Sequence, residues 1–319
     1  IGGGTPSLLS GAALTRLRSE VRMRLPLAHE AEITLEANPG TVEAEKFAAF
    51  REAGVNRLSL GIQSFNDEHL QALGRIHSGA EAKQAIAIAQ QHFGNINLDL
   101  MYALPQQTLE QALQDVQTAL QFKPQHLSCY HLTLEPNTLF AHQPPEVPDD
   151  DASSEMQQRI EELLAAHGYE HYETSAFAQP GRQSRHNLNY WQFGDYLGIG
   201  AGAHSKLSFH DKVIRQARLK QPQAYMDAVS TGGQVQSEQQ LDKEDLAFEF
   251  MMNALRLNGG FDETLFQERT SLPLLLIRRE LEEAERKGLL VRSAGRIAPT
   301  AMGRRFLNDL LQIFLAAEH

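Results

Sequence analysis

The chain has 319 residues and a formal net charge of −11, and 42% of its residues are hydrophobic. This composition excludes wholesale disorder, and the negative charge argues against general binding to nucleic acid or to anionic membranes. The single cysteine, Cys129, excludes an internal disulfide and predicts a cytoplasmic location. No apolar run reaches the roughly 20 residues that a membrane span needs, and the length favours two domains.

A glycine-rich turn, GGGTPS, occupies residues 2–7. Such a turn usually follows a strand, so we expect Ile1 to end a strand whose earlier part precedes this sequence. A helix is predicted over residues 10–24. Backbone N–H groups at a glycine loop before a helix favour a carboxylate or a phosphate, although an ordinary tight turn is the alternative.

Three segments repeat one alternating pattern, at residues 33–38, 58–63 and 96–101. In each segment one phase is apolar and the other is polar or small. Strands that are joined by helices are usually parallel and apolar on both faces. A polar face that recurs in three strands therefore predicts a barrel whose interior holds a polar ligand.

Four side chains form a candidate binding site on that face. Glu36, Gln63 and Asp99 lie toward the carboxyl ends of their strands, and Arg75 follows the second strand. A carboxylate accepts hydrogen bonds from ammonium or ribose hydroxyl groups, and Arg pairs with a carboxylate. The set predicts a zwitterionic, hydroxyl-rich ligand; the alternative is ordinary strand-end residues solvated at the rim.

The next elements continue the βα order. Capping boxes at 78–81 and 108–111 begin two helices with apolar faces. The other predicted elements are helices at 41–53, 67–73 and 149–167, an extension of the third strand to residue 104, and strands at 126–135 and 169–176. Repeated βα units through residues 1–210 predict an α/β fold with a partial or full (β/α) barrel, and an open doubly wound sheet is the alternative.

A second candidate cluster is HNLNYW at 186–191, which contains the only tryptophan. The His186 imidazole is a potential ligand of haem iron, with Tyr190 and Trp191 packed on the macrocycle. Arg182 and Arg185 are candidates to face the propionates. The alternative is a turn or loop whose His and Asn side chains bond the backbone.

The stretch YLGIGAGAHS at 196–205 has glycines at every second position. This spacing is not the G-x-G-x-x-G of dinucleotide-binding loops, and it predicts a close approach of the backbone to a ligand or a neighbouring strand. We interpret His204 as structural.

From about residue 240 the sequence predicts helices near 243–257, 262–268 and 272–287, then a short hairpin and a final helix from Thr300. We assign residues 211–319 to a linker and a helical, winged-helix-like C-terminal domain. Such an order raises the possibility of DNA reading. Residues 241–319 carry 11 Lys/Arg against 13 Asp/Glu, a net charge of −2 without a basic stripe, which favours a docking or lid domain.

Several motifs occur in one order: GGGTPS at 2–7, LEANPG at 35–40, SLGIQSF at 59–65 with LGRIH at 73–77, and DLMYALPQQT at 99–108. With them the chain resembles, over nearly its whole length, the radical S-adenosylmethionine (SAM) proteins related to oxygen-independent coproporphyrinogen III oxidase. HNLNYW is similar to the HNxxYW motif of the HemW-type haem chaperones in that family.

The resemblance implies an incomplete barrel that binds SAM against a [4Fe–4S] cluster. The implied SAM contacts are Gly3, Gly4 and Thr5 for the methionyl part, with Glu36, Gln63, Arg75 and Asp99 completing the SAM sites. It also makes His186 the expected ligand of haem iron, beside Tyr190 and Trp191. The family holds its cluster with a CxxxCxxC loop upstream of GGGTP. These cluster cysteines are absent from this chain, so we expect an N-terminal strand and cluster loop to be missing from the sequence.

The resemblance leaves two leading functions. The first is a haem chaperone that binds haem and delivers it to an unidentified acceptor protein. The alternative is an oxygen-independent coproporphyrinogen III oxidase, in which a SAM-derived radical drives oxidative decarboxylation of porphyrinogen propionates. HNLNYW favours the chaperone, a carrier rather than an enzyme. A winged-helix regulator is the weakest hypothesis, because the C-terminal region is not basic.

Overall fold

The computed structural model describes residues 1–40, 44–134, 136 and 139–315. The chain forms two compact units. One comprises Ile1–His171 with Ser175–Gln183, and the other comprises Tyr172–Thr174 with Ser184–His319. No helix among the described residues is long and apolar enough to cross a bilayer. The predicted domain boundary at residue 210 and the predicted cytoplasmic location stay predictions.

The α-helices of the described ranges are numbered in chain order. They are α1 (Gly11–Arg24), α2 (Phe47–Glu52), α3 (Asp67–Ala72), α4 (Gly79–His92), α5 (Leu109–Gln121), α6 (Leu139–His142), α7 (Asp150–Ala166), α8 (Arg185–Trp191), α9 (Pro222–Val229), α10 (Lys243–Ala254), α11 (Glu263–Thr270), α12 (Arg278–Arg286), α13 (Ala301–Arg305) and α14 (Leu307–Gln312). Short 3-10 helices cover Pro6–Leu8 and Leu274–Ile277.

Within the same described ranges the strands form three sheets. They are β1 (Thr34–Ala37), β2 (Arg57–Gln63), β3 (Ile96–Tyr102), β4 (His126–His131), β5 (Glu170–Glu173), β6 (Ala176–Ala178), β7 (His204–Ser208), β8 (Val213–Arg218), β9 (Val235–Gln240), β10 (Phe261–Asp262), β11 (Leu290–Ser293) and β12 (Arg296–Pro299). The sheet orders are β1-β2-β3-β4-β6-β5, β7-β8-β9 and β10-β12-β11.

Parallel pairing joins β1 through β4, and helices connect each strand to the next. This arrangement confirms the predicted α/β fold with a partial barrel. Ile1 lies along the outer edge of β1, because its N–H donates to Thr34 O at 2.5 Å and its carbonyl accepts from Glu36 N–H at 3.1 Å. The glycine turn therefore leaves the sheet beside the carboxyl end of β1.

The apolar phase of the parallel strands forms the core of the first unit. Leu35, Leu58, Leu60, Ile62 and Leu98 are fully buried within one continuous apolar cluster that includes residues of α2, α4 and α5. Each such side chain contributes about 1.5–3 kcal/mol relative to an exposed one. The core therefore fixes which face of the sheet remains for the polar phase.

Both predicted capping boxes are present, at Ser78 with Glu81 and at Thr108 with Gln111. The predicted recurrence of βα units stops at β4, because the next strand in the sheet, β6, runs antiparallel to it. The strand predicted over 126–135 ends at His131. Glu135, and Thr41 to Glu43 at the start of the helix predicted over 41–53, lie outside the described residues.

The strand predicted near 169–176 is present over Glu170–Glu173 but does not continue to Ala176. The segment forms two strands, β5 and β6, separated at Thr174 and Ser175. The backbone at this break is bonded elsewhere: Thr174 N–H donates to Arg256 O at 3.0 Å, and Cys129 N–H donates to Ser175 O at 2.8 Å. Neither glycine nor proline marks the break, so the sequence contains no local signal for it.

In the second unit, β7, β8 and β9 form an antiparallel sheet. Farther along the chain, helices α10 to α12 precede the hairpin of β11 and β12, and β10 pairs with β12. Ala294 and Gly295 both have positive φ, 52° and 76°, as the tight turn of such a hairpin requires. This order confirms the predicted winged-helix-like arrangement.

An aromatic cluster holds this second unit together. The Phe250 ring on α10 makes edge-to-face contacts with Phe193, Phe261 and Phe266, at centroid separations of 5.7, 5.0 and 5.1 Å. All four rings are almost completely buried. Such pairs add about 0.5–1.5 kcal/mol each beyond the area they bury.

Candidate functional site

A cavity of about 210 Å³ opens at the carboxyl ends of β1 to β3. Of the residues predicted for the first site, Gly4, Thr5, Glu36, Gln63, Arg75 and Asp99 line it. Its other lining residues are Pro6, Ser7, Ala37, Asn38, Ser59 and Gly61. Gly3 is not part of the lining, but its N–H donates to Glu36 Oε2 at 3.3 Å. The structure thus brings the predicted set together around one polar space.

The glycine turn is shaped by Glu36. A Cβ at Gly2 would come within 2.6 Å of Glu36 Oε1, so no larger residue fits there without moving the carboxylate. Gly3 and Gly4 have φ of 82° and 63°, a conformation that glycine adopts at low cost. Lys46 Nζ donates to Ser7 O at 3.1 Å and ties the end of the turn to the rest of the unit.

Gln63 reaches the cavity through a backbone irregularity. Its φ is 66°, and the register of β2 with β3 shifts between Leu60 and Gln63. A non-glycine residue in this conformation carries strain that the surroundings must hold. Buried Asp115 on α5 does so, since its carboxylate accepts from Ser64 Oγ at 2.6 Å and from Phe65 N–H at 2.8 Å.

Asp99 is half-buried on β3, in the predicted position. Its Oδ2 accepts from Ser59 Oγ at 2.9 Å, and its Oδ1 accepts from Asn97 Nδ2 at 2.8 Å. Burial raises the pKa of Asp99, while hydrogen bonds from Asn97, Ser59 and Ser128 and the charge of Arg57 lower it. The carboxylate is thus held from two sides, and it lines the cavity.

Arg75 follows a left-handed glycine, Gly74, with φ of 71°. Its own N–H donates to Leu70 O at 2.8 Å, and two residues later His77 Nε2 lies 3.1 Å from Ile62 O. Burial lowers the pKa of Arg75 and nearby Asp99 raises it. Because a guanidinium titrates far above neutrality, Arg75 brings a fixed positive charge to the cavity.

Other polar residues of this face were missing from the predicted site. The β3–β4 register pairs Asn97 with His126 and Asp99 with Ser128, so His126 and Ser128 share the polar face. The alternation along β4 carried this signal, but Cys129, the residue of β4 that stands out in the sequence, belongs to the other phase. Cys129 is buried in the core, where burial raises the pKa of its thiol to about 12.

The second predicted cluster is not a loop. Residues 185–191 form helix α8, whose N-cap Ser184 accepts from Asn187 N–H at 3.3 Å. The helix has no buried residues and therefore no apolar face that would have predicted it. His186 and Tyr190 lie one turn apart on an exposed face, and His186 Nδ1 lies 3.1 Å from Ser184 Oγ.

Trp191 belongs to a different face of α8. Its ring lies 4.3 Å from Arg256 Cζ, a cation–π contact. Tyr190 instead makes an edge-to-face contact with Tyr196 at 4.7 Å. A cavity of about 150 Å³ lies here, lined by Tyr190, Trp191, Phe193, Gly194, Tyr196, Lys206, Arg215 and Asn253. Its lining includes neither His186 nor the exposed Arg182 and Arg185.

The close backbone approach predicted for the third glycine stretch is present at Gly198. A Cβ there would lie 2.1 Å from His204 O, too close for any side chain. His204 is the first residue of β7 and pairs with Ala217 of β8.

The two clusters differ in what they can do chemically. The first combines carboxylates, an amide and a guanidinium around a polar space, which matches an amino acid group and ribose hydroxyls. In the part of the chain that the structure describes, no three His, Cys, Asp or Glu side chains are arranged to hold a metal ion. The described residues therefore fit SAM but supply no ligand set for an iron–sulfur cluster.

Comparison with known proteins identifies the family of the chain. The Radical SAM superfamily profile matches residues 1–119, and the HemN C-terminal domain profile matches residues 241–306. The family match implies SAM and a [4Fe–4S] cluster as cofactors. The solved structure of coproporphyrinogen III oxidase (HemN) from Escherichia coli superposes with a TM-score of 0.80, covering 98% of this chain and 76% of that one at 23% identity, which shows the shared fold.

Relatives match almost the entire chain. The heme chaperone HemW of Escherichia coli (strain K12) is 49% identical over 99% of this chain and 83% of its own length. The heme chaperone HemW of Bacillus subtilis (strain 168) is 34% identical, with coverages of 99% and 84%. The mouse mitochondrial radical S-adenosyl methionine domain-containing protein 1 is 37% identical, with coverages of 98% and 74%. The chain therefore belongs to the HemW family of radical SAM proteins.

Proposed function

We propose that the protein is a haem chaperone, which binds haem and transfers it to an acceptor protein, and that it holds SAM in the polar cavity of the first unit. The observation that carries this proposal is similarity over 99% of the chain to relatives named heme chaperone HemW. The alternative, a coproporphyrinogen oxidase, rests on a fold match at 23% identity. We therefore prefer the carrier.

Helix α8 is our candidate for the haem contact. His186 is exposed, and its Nδ1 lies against the Ser184 hydroxyl, a contact that can fix the orientation of the ring. Tyr190, 39% exposed and one helical turn away, offers an aromatic surface beside the imidazole. An imidazole with an aromatic neighbour suits axial ligation of haem iron with contact to the macrocycle. Trp191 acts in this proposal by holding the helix on Arg256.

The polar cavity suits SAM by its chemistry. Arg75 can pair with the carboxylate of the methionyl part, and Glu36 with its ammonium group. Asp99 and Gln63 can bond the ribose hydroxyls. SAM and its cluster would supply radical chemistry when bound. The cavity residues bind and orient; we assign them no further step.

The haem proposal is tested by titrating hemin into the anaerobically purified protein and following the Soret band. We expect saturable one-to-one binding that His186→Ala weakens by at least about tenfold, since an axial bond is worth more than about 1.4 kcal/mol. His210→Ala, which also removes an exposed histidine of the second unit, is the matched control. Equal affinity in all three proteins would remove His186 from the site, and the absence of saturable binding would remove the haem proposal.

A further inference from the structure

A buried amide lies beneath Asp99 at the centre of the polar face. Asn97 is buried on β3, two residues before Asp99. Its Nδ2 lies 2.8 Å from both Ser59 Oγ and Asp99 Oδ1, while its Oδ1 lies 2.6 Å from His126 Nδ1 and 3.1 Å from Ser128 Oγ. Two donor and two acceptor contacts fill the hydrogen-bonding capacity of the amide. The Asn97 amide therefore has one orientation in which all four neighbouring groups are hydrogen-bonded.

The direction of each bond follows from the carboxylate. An ionised Asp99 can only accept, so the amide must turn its NH₂ group toward Asp99 and its oxygen toward β4. His126 Nδ1 must then carry a proton, because it faces an oxygen that only accepts. With the amide reversed, two oxygens would face each other 2.8 Å apart. His126 and Ser128 on β4 thus complete the arrangement in which Asn97 turns its donors toward Asp99.

This chain of bonds matters because Asp99 is costly to keep ionised. Burial raises its pKa, and the bonds from Asn97, Ser59 and Ser128 oppose that shift. Arg57 on β2 and Arg75 after α3 are the cations that act electrostatically on it, and Cys129 interacts with it from the opposite face of β4. Glu36 on β1 lines the same cavity. Within this set Asn97 supplies a donor directly to Asp99 Oδ1, leaving the remaining acceptor positions of the carboxylate for a ligand.

We propose that Asn97, held by His126 and Ser128, is a positioning residue that orients Asp99 to receive the paired ribose hydroxyls of SAM. This inference rests on the proposed SAM site. It assigns the preference of that site for an intact ribose to a layer of side chains that do not touch the ligand. Ser59, which donates to the other oxygen of Asp99, completes the support.

The test is SAM binding to the purified protein by isothermal titration calorimetry, with SAM and its 2′-deoxy analogue at pH 6 and pH 8. Asn97→Asp keeps the size of the side chain but replaces the donor by an acceptor. We expect the SAM dissociation constant at pH 8 to rise about 10- to 100-fold, because a charge-assisted hydrogen bond to Asp99 is lost. At pH 6 a proton shared by the two carboxylates should recover part of the affinity. The preference for SAM over the deoxy analogue should shrink.

Asn308→Asp, the same change on an exposed helix position, is the control and should match the unmodified protein. A merely structural role would weaken both ligands equally at both pH values, and that result would overturn the inference. Asp99→Ala separates the two proposals. If it abolishes binding while Asn97→Asp has no effect, the positioning role is wrong and the SAM site stands; if neither variant changes the affinity, both are wrong.

A milder variant covers the case in which Asn97→Asp does not fold. Ser128→Ala removes one of the two contacts to Asn97 Oδ1, together with the Ser128 contact to Asp99, and leaves the His126 contact in place. We expect a loss of about threefold, selective for SAM over the deoxy analogue, since one neutral hydrogen bond is worth about 0.5–1.5 kcal/mol. An unchanged preference would overturn the inference.

Discussion

At the scale of single residues, the polar cavity depends on side chains that do not line it. Asp115 is the clearest case: it is buried on α5 and bonds both the Ser64 hydroxyl and the Phe65 N–H, directly after the strained Gln63. Burial has the largest effect on the pKa of Asp115 and raises it to about 6. The carboxylate therefore fixes the turn after β2 at a cost in stability when it ionises.

That cost gives stability a defined dependence on pH. In the unfolded chain Asp115 ionises at its ordinary pKa of 3.8, and in the folded protein burial raises that pKa to about 6. Its contribution to stability is complete at low pH and is lost as the pH rises through about 6, amounting to roughly 3 kcal/mol. Asp115→Asn keeps the size and an acceptor for Phe65 N–H but cannot ionise. Urea unfolding at pH 4.5 and 7 should show a smaller loss across this interval in the variant; equal losses would contradict the assignment.

At the scale of elements, the apolar alternation of β1 to β3 and the two capping boxes could be predicted because their signals are local. Helix α8 could not, since the packing of Trp191 on Arg256 joins residues that lie 65 positions apart. The β5–β6 break was hidden for the same reason, as its backbone bonds go to Arg256 and Cys129. Contacts distant in sequence leave no periodic pattern to predict from.

The start of α4 offers a test of element packing. Gly79 is its first residue, and a Cβ there would lie 2.1 Å from Phe65 O, on the turn that Asp115 holds. Gly79→Ala should lower the free energy of unfolding by about 1–3 kcal/mol, as overpacking does. Gly94→Ala is the matched control, because nothing lies within 4 Å of its Cβ position. Thermal unfolding of both variants measures the difference; equal melting temperatures would show that α4 can shift freely at this point.

Glu36, Gln63, Arg75 and Asp99 could be grouped from the sequence because each lies on, or soon after, a strand of one phase. The supporting layer was missed because His126 and Ser128 become neighbours of Asn97 only through the β3–β4 register, which the sequence does not state. The haem candidates were predicted as one group. The structure divides them between an exposed face, with His186 and Tyr190, and the contact of Trp191 with Arg256.

At the scale of the whole molecule, the two candidate sites belong to different compact units. The residues of the polar cavity all lie in the first unit, and α8 with its contacts lies in the second. The radical SAM profile covers only the early part of the chain, whereas similarity to the named haem chaperones covers 99% of it. The central claim of a haem carrier therefore concerns both units, and it predicts release of haem as well as binding.

The most direct test is transfer. The protein is loaded with one equivalent of hemin, freed of excess, and mixed with apomyoglobin as a haem sink, while the Soret spectrum is followed in time. A carrier should hold haem through gel filtration and then yield it quantitatively to apomyoglobin, and His186→Ala should lose haem before or during filtration. If the protein retains no haem in stoichiometric amount, or never releases it, the carrier account is contradicted.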